Sequence, residues 1–218
     1  RCVARFAPAI CRCERCALPV PAGVPVCGAC LREPPPLERC LTALPYAWPW
    51  AQVIARFKFY AEPGLAAALG PLLRAAPGVA QALAQADLVI PLPLSAERLA
   101  ERGYNPAQLL AQSLMHSLAQ HAAPPPPRVR LDVLLRTRHT PPQHALPRAQ
   151  RLRNVRGAYA VDPLRAADLA HQRVVLVDDV MTTGASLYDA ARAVRGARAA
   201  HITGLTLART PQQPASTT

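Results

Sequence analysis

A strand–turn–helix segment in the last third of the chain constrains the fold more than any other feature. Residues 174–177 form a continuous apolar run that is followed by two adjacent carboxylates, Asp178 and Asp179. A run that is apolar on both faces is typical of a strand in a parallel sheet covered by helices. A helix predicted over about 185–195 and a strand predicted over 201–207 complete a βαβ unit. The segment therefore predicts an α/β fold with a central parallel sheet.

The turn between the first strand and the helix has the composition of a phosphate cradle. Ligands of open α/β sheets bind outside the carboxyl ends of the strands, and a helix N-terminus there offers free N–H groups and a positive dipole end. A glycine lets the backbone approach a phosphate closely, and hydroxyl groups add donors. The candidate phosphate-binding residues are Val180, Met181, Thr182, Thr183, Gly184, Ala185 and Ser186.

The two acids of this segment need a different partner from the phosphate. Ribose hydroxyls are donors and suit carboxylate acceptors, and a Mg²⁺ ion shared with a pyrophosphate would lower the like-charge cost. A generic strand–turn–helix with an acidic turn is the alternative interpretation. A Walker-type loop is excluded because no Gly-Lys-Ser/Thr follows the strand.

A second strand-to-loop transition follows a strand predicted over 87–90. Pro91 and Pro93 end that strand, because proline cannot donate to a ladder. Arg98 and Arg102 are four residues apart and would share one helical face, as a pair of cations for a pyrophosphate requires. Two solvated arginines among Glu97 and Glu101 are the alternative.

Residues 128–160 show little periodicity and are predicted to form a long loop. Long loops in compact domains are usually functional, and the arginine density of this one fits a flexible cover over an anionic substrate. An arm that contacts nucleic acid is an equally good interpretation, in line with the net charge of +12. The candidate residues of this loop are Gln143, Arg151 and Asn154.

All seven cysteines lie in the first 40 residues. Two C-x-x-C pairs, Cys13/Cys16 and Cys27/Cys30, have the spacing of a tetrahedral Zn²⁺ site with four thiolate ligands. Such a site has no open position, so it predicts a structural metal. A redox pair is the weaker alternative, because no strand precedes either pair in a βαβ context. Cys2 and Cys11 are candidates for a second metal site completed upstream, and Cys40 is expected to be a buried apolar residue.

Composition divides the chain into a zinc module (residues 1–40), an α/β domain (41–210) and a disordered tail (211–218). Helices are expected around 64–76 and over about 106–120, where apolar residues recur at helical spacing. The proline-rich segment 122–127 is expected to be a loop. The sequence has no apolar run near the ~20 residues of a membrane span.

The run Asp178 to Ser186 resembles the phosphoribosyl pyrophosphate motif of type I phosphoribosyltransferases. That resemblance implies that Asp178 and Asp179 address the ribose, while Thr182 to Ser186 hold the 5-phosphate. Over nearly its full length the chain also resembles the ComF family of late competence proteins and their GntX-like relatives. The further matching motifs are the cysteine module, Pro34 to Pro36, Phe57-Lys58-Phe59, Pro91 to Pro93, Arg98, Arg102 to Asn105, Thr140 to Gln143, and Arg151-x-x-Asn154.

The ComF resemblance implies a cytoplasmic protein with a zinc module on a type I phosphoribosyltransferase fold, active in natural transformation. Its expected ligand is phosphoribosyl pyrophosphate with Mg²⁺, and its expected partners are single-stranded DNA and helicase-type proteins. Two departures stand out: Pro106 replaces a frequent glutamine, and the usual upstream C-x-x-C pair is represented at most by Cys2.

Two functions follow from this resemblance. One is a phosphoribosyltransferase in which Asp178, Asp179, Arg98 and Arg102 serve catalysis. Its acceptor stays unidentified, because Thr182 replaces the base-binding aspartate of some purine enzymes. The other is a non-catalytic, ligand-gated adaptor that contacts DNA or a helicase-type partner.

Overall fold

A computed structural model of the chain describes residues 5–120, 126–137 and 157–211. The strands in chain order are β1 (Arg39–Pro45), β2 (Leu88–Pro91), β3 (Arg128–Val129), β4 (Leu134–Arg136), β5 (Tyr159–Val161), β6 (Arg173–Met181) and β7 (His201–Arg209). Five of them form one sheet in the order β1-β7-β6-β2-β3, and every pair in it is parallel. The predicted α/β fold with a central parallel sheet is confirmed.

Helices cover this sheet and connect its strands. They are α1 (Gly28–Arg32), α2 (Trp50–Phe59), α3 (Ala66–Arg74), α4 (Val79–Ala84), α5 (Ala96–Arg102), α6 (Pro106–Ala119) and α7 (Ala185–Gly196), with 3₁₀ segments at Pro63–Leu65 and Pro163–Leu169. Across the described ranges, no helix combines the length and apolarity that crossing a bilayer would require.

The central strand β6 explains why two helical layers form. Its side chains alternate between the faces of the sheet, as the pleat requires. Val174 and Leu176 join a core cluster that includes residues of α7. Val175 and Val177 join a second cluster that includes residues of α3 and α6. A strand that is apolar on both faces therefore holds both layers together.

The described residues of the segment 128–160 contain more regular secondary structure than predicted. The expectation of one long loop is wrong for the described part, because β4 and β5 form an antiparallel pair there. Asp189 of α7 explains the order: its carboxylate accepts the backbone N–H groups of Gly157, Ala158 and Tyr159 at 2.9, 2.8 and 3.1 Å. An acceptor 30 residues away in sequence leaves no periodic signal in the segment itself.

Element boundaries differ from the prediction in three places. The helix expected around 64–76 is split into a 3₁₀ turn and α3, which ends at Arg74. Strand β6 continues to Met181 instead of ending at Val177, so the two acids lie within the strand. Strand β7 extends to Arg209. The helix predicted over 106–120 is confirmed as α6.

The cysteine-rich segment packs onto the sheet. Cys13, Cys16 and Cys30 belong to the same buried cluster as Leu187 and Ile202, which lie on α7 and β7. Cys40 is 3% exposed, which confirms the expectation that it is buried. The cysteine segment and the α7 face of the sheet therefore share one core.

Candidate functional site

The two acids, Asp178 and Asp179, lie near the carboxyl end of β6. Asp179 is buried, while Asp178 is partly exposed at the carboxyl edge of the sheet. Oδ1 of Asp178 accepts the backbone N–H of Asp179 at 2.8 Å, which orients the first carboxylate. Val180 and Met181 occupy the end of the strand, and Met181 is buried in the core. The part of the segment at the surface therefore begins at Thr182.

Lys58 is a member of this site that the sequence did not single out. Its Nζ lies 2.8 Å from Oδ1 of Asp179, and both side chains are mostly buried. Lys58 is the only lysine of the chain and stands in the next-to-last position of α2. Its place in the Phe57-Lys58-Phe59 motif was the available signal. The lysine balances one of the two adjacent negative charges.

Burial raises the pKa of Asp178 to about 7, and the neighbouring Asp179 carboxylate acts in the same direction. Lys58 and Arg136 oppose this rise. A carboxyl group with such a pKa changes charge near neutral pH, because desolvation and like charge both disfavour the ionised form. A cation or hydroxyl donors beside the acid pair would therefore favour its ionised form.

The turn after β6 presents backbone N–H groups at the start of α7. Within the described ranges, no acceptor lies within hydrogen-bonding distance of the N–H groups of Thr182, Thr183 or Gly184. The N–H of Ala185 donates to Oγ1 of Thr183 at 3.3 Å. Thr182 is exposed, and Thr183 and Ser186 are partly exposed. Three amides and three hydroxyls are thus grouped at one helix N-terminus.

Gly184 is required at the N-cap of α7 for two reasons. Its φ is +84°, a left-handed conformation that side chains rarely adopt. A Cβ atom there would lie 2.6 Å from Cε2 of Tyr188 and 2.7 Å from Cε of Met181. The glycine therefore sets both the direction of the turn and its closeness to the helix.

Arginines from two elements meet beside the acid pair. Arg98 and Arg102 both lie on α5, as predicted, and Ser95 caps this helix. Burial lowers the pKa of Arg98, and the charges of Arg136 on β4 and of Arg102 lower it further. Because the charges of Arg136 and Arg102 act on Arg98, both lie near the Arg98 guanidinium. Arg136 also lowers the pKa of Asp178, so this arginine lies near the acid pair.

Tyr159 connects the hairpin to the helix start. The Tyr159 hydroxyl accepts a hydrogen bond from Nη1 of Arg136 at 3.2 Å. Burial raises the pKa of Tyr159 to about 12, whereas a hydrogen bond with Ser186 lowers it. The β4–β5 hairpin therefore forms one wall of the site, and its arginine faces the acids.

Several predicted features lie outside this geometry. Gln143, Arg151, Asn154, Cys2 and the tail from residue 212 fall outside the described residues, as does most of the loop expected at 122–127. The large cavity of about 440 Å³ lies elsewhere, between residues 7–14, β1 and α3.

The four predicted zinc ligands come together. The Sγ atoms of Cys13, Cys16, Cys27 and Cys30 lie within 4.8 Å of one another. Tetrahedral Zn–S bonds of ~2.3 Å place sulfurs about 3.8 Å apart, and Cys16 Sγ lies 3.7 Å from Cys27 Sγ. These residues fit a Zn²⁺ ion. Cys11 is exposed and lies outside the cluster.

The backbone of the cysteine cluster supports thiolate ligands. The N–H of Cys27 donates to Sγ of Cys13 at 3.3 Å. Burial raises the pKa of Cys13, but the N–H donors of Cys27 and Arg15 outweigh it and bring the value to about 7. Zinc binds the thiolate form. The N–H donors favour that form at Cys13, whereas burial raises the pKa of Cys16 and of Cys30.

Comparison with known proteins agrees with this geometry. A family model described as "Phosphoribosyl transferase domain" matches residues 99–216. DNA utilization protein YhgH of Escherichia coli O6:H1 is 34% identical over 188 residues, covering 83% of this chain and 76% of the relative. Competence protein F of Haemophilus influenzae is 32% identical over 172 residues, covering 78% and 72%.

One solved structure that is similar to this chain is a glutamine phosphoribosylpyrophosphate amidotransferase from B. subtilis. It has 18% sequence identity and a TM-score of 0.42, and the match covers 69% of this chain and 30% of that one. The sequence matches are the stronger finding, because the relatives and this chain align over most of their lengths. The chain therefore belongs to the ComF-like family of phosphoribosyltransferase-domain proteins, together with DNA utilization protein YhgH and competence protein F.

Proposed function

We propose that the chain binds phosphoribosyl pyrophosphate at the carboxyl end of β6. The observation that carries the proposal is the grouping of three N–H groups without acceptors in the described ranges, at Thr182, Thr183 and Gly184, next to the acid pair. A helix N-terminus with free amides favours a phosphate. The 5-phosphate would occupy this turn, with the hydroxyls of Thr183 and Ser186 as further donors.

The carboxylates would hold the sugar. Asp178 has the more exposed side chain and accepts from ribose hydroxyls, while Asp179 is held in place by Lys58. The two acids also provide hard oxygen ligands for a Mg²⁺ ion, which shares its coordination with phosphate oxygens when bound. Because the pKa of Asp178 is raised, a cation bound there would stabilise its ionised form.

The arginines would stabilise the pyrophosphate. Arg98 and Arg102 lie on α5 and Arg136 lies on β4, and of these three Arg136 acts on Asp178. Their charges lower the pKa of Arg98, which is the mark of a cation cluster that an anion would relieve. In group transfer the same three residues would hold the departing pyrophosphate, and the protein supplies orientation and charge without a covalent nucleophile.

Calorimetric titration with phosphoribosyl pyrophosphate and Mg²⁺ tests the proposal. We expect a heat of binding with the wild type and no heat of binding with the Asp178→Asn/Asp179→Asn double variant. Asp162→Asn/Asp168→Asn is the matched control, because it removes two acids from the 3₁₀ region and leaves β6 intact. Equal binding by wild type and site variant would refute the assignment. If the wild type binds, an assay of pyrophosphate release in the presence of an acceptor then distinguishes a transferase from a protein that only binds the ligand.

A second candidate function, contact with single-stranded DNA, has its own support. The relatives carry the names DNA utilization protein and competence protein. Phe59 and Tyr60 are 56% and 70% exposed, and the guanidinium of Arg102 lies 5.1 Å from the Phe59 ring centroid. Exposed aromatic rings beside cations are the usual means of binding unpaired bases.

Fluorescence anisotropy with a labelled single strand tests DNA contact. The Phe59→Ala/Tyr60→Ala variant should weaken affinity about tenfold. The control variant Leu164→Ala, at a residue that is 89% exposed, should leave it unchanged. Absence of binding by the wild type at low salt would refute this function and leave the phosphoribosyl site untouched.

A further inference from the structure

Arg209 joins the cysteine cluster to the phosphate-binding turn. This residue ends β7 and is 5% exposed. Its Nε donates to the carbonyl oxygen of Cys16 at 2.9 Å. Its Nη1 donates to the carbonyl of Met181 at 3.0 Å and also to the carbonyl of Thr182. One buried guanidinium therefore holds a zinc-ligand residue and the start of the turn.

Apolar packing connects the same two regions. The buried cluster that contains Cys16 also contains Met181 and Ala185. The Sγ atom of Cys40 lies 3.5 Å from Sδ of Met181. Tyr188, which occupies the space that a Cβ on Gly184 would need, interacts electrostatically with Cys16 and Arg209. The cysteine segment therefore packs against the residues on either side of the turn from Thr182 to Gly184.

Charge gives the metal a role in this connection. Arg12 is partly buried, and its Nη1 donates to the carbonyl oxygen of Ala17 at 2.9 Å, next to Cys16. Arg209 is a buried cation, and a buried cation needs a compensating anion. Four thiolates around one Zn²⁺ carry a net charge of about −2. The loaded cluster can therefore compensate Arg209 and fix the backbone of Cys16, to which Arg209 is bonded.

We propose that Arg209 is a positioning residue through which metal in the Cys13/Cys16/Cys27/Cys30 cluster holds the turn from Thr182 to Gly184 ready for a sugar phosphate. The ligand part of this inference rests on the proposed function. Because coupling between two sites is reciprocal, bound sugar phosphate also strengthens retention of the metal.

The test compares two arginine variants. Arg209→Met removes the three bonds described above and keeps much of the side-chain volume. Arg195→Met is the matched control: it removes an arginine that is paired with Glu38 and bonded to Ala199, at the opposite end of α7. Zinc content, hydrogen exchange of a peptide covering the turn, and affinity for phosphoribosyl pyrophosphate with Mg²⁺ are measured for each.

For Arg209→Met we expect a full zinc complement, faster exchange in the turn, and ligand affinity lower by about tenfold, as loss of a charge-assisted bond predicts. Removing zinc from the wild type with a chelator should accelerate exchange in the same peptide. Removing it from Arg209→Met should add little. Arg195→Met should match the wild type in both readouts.

Unchanged exchange in the turn of zinc-loaded Arg209→Met would overturn the inference. If this variant does not fold, Arg209→Lys replaces it: lysine keeps the charge without the planar fork, so it should also loosen the turn. Hydrogen exchange needs no ligand, so failure of the wild type to bind phosphoribosyl pyrophosphate would refute the proposed function alone. Altered exchange with wild-type ligand affinity would refute the positioning role.

Discussion

The Nζ atom of Lys58 lies 2.8 Å from Oδ1 of Asp179, although 121 positions separate the two residues. This pair joins α2 to the strand that carries the acids. It gives the acid pair one fixed positive partner and leaves Asp178 with the raised pKa. A charge balance of this kind makes the site sensitive to pH in the neutral range.

Replacing Lys58 by Met should shift the pH dependence of ligand binding. Lys58 lowers the pKa of Asp178 against the effects of burial and Asp179, so its loss raises this pKa above about 7. Asp178 then stays protonated to a higher pH, and affinity for phosphoribosyl pyrophosphate with Mg²⁺ should fall at pH 7. Titrations from acidic to alkaline pH measure the midpoint. Lys58→Arg keeps the charge and should keep most of the wild-type profile; an unshifted Met profile contradicts the argument.

Asp178→Asn should stabilise the protein at alkaline pH. The pKa of Asp178 is about 7 in the folded protein, against about 3.9 in an unfolded chain. The folded state therefore binds the proton more tightly, and stability is lost as pH rises from about 4 through 7. Asparagine removes this loss, which the two pKa values limit to about 4 kcal/mol above pH 7, and it therefore raises Tm there. Thermal unfolding at acidic and alkaline pH measures this effect. A gain in Tm at acidic pH alone would contradict the predicted direction.

Gly184→Ala should disturb both stability and the site. The substitution meets a positive φ and close contacts with Tyr188 and Met181. Gly157→Ala is the matched control, because its φ is +73° but nothing lies within 4 Å of the added Cβ. The control should cost about 1–2 kcal/mol of unfolding free energy from the backbone alone. Gly184→Ala should lower the free energy of unfolding by more than this and should also weaken ligand binding. Denaturant titration measures the first effect and calorimetry the second. Equal losses of unfolding free energy in the two variants would show that Tyr188 and Met181 move aside without cost.

Asp189→Asn should loosen the β4–β5 hairpin. Its carboxylate accepts three backbone N–H groups and is 4% exposed. An amide has one acceptor oxygen instead of two, so at least one N–H loses its partner. We expect about 1.5–3 kcal/mol less unfolding free energy. Asp168→Asn removes a partly exposed ion pair with Arg130 and should cost at most about 1 kcal/mol. Similar losses in both variants would argue against a special role for Asp189.

Cys16→Ser should abolish tight zinc binding. One thiolate of the set of four is lost, and hydroxyl is a poor ligand for Zn²⁺. Metal analysis of purified protein should find about one zinc per chain in the wild type and much less in the variant. Cys40→Ala is the control, since Cys40 is buried but lies outside the cluster. Zinc loss from Cys40→Ala, with retention by Cys16→Ser, would refute the ligand assignment.

The βαβ unit, the zinc cluster and the arginine pair on α5 could be predicted because each has a local signal. The run of apolar residues before Asp178 fixes a buried strand, and C-x-x-C spacing fixes a knuckle. Lys58, Asp189 and Arg209 could not be predicted in this way. Each acts through a partner distant in sequence, and a lone charged residue has no period that would distinguish a buried anchor from a solvated surface group.

The length of strand β6 was missed for a related reason. Two acids after an apolar run are typical of a strand end, yet pairing with β7 continues to Met181 opposite Arg209. Strand pairing satisfies the backbone through the acidic positions, and Lys58 offsets part of the charge. Tertiary contacts therefore extended the strand beyond its local preference.

The parallel pairing of β1 with β7 also bears on how the chain is made. Residues 39–45 align with residues 203–209, so β1 is synthesised long before the strand with which it pairs. Until then its edge and the apolar face beneath it stay uncovered, a state prone to misassociation. Long-range pairing of this kind slows folding. A chain cut short before His201 would lose the strand that joins β1 to β6 and, with it, the Arg209 side chain that bonds to the cysteine segment.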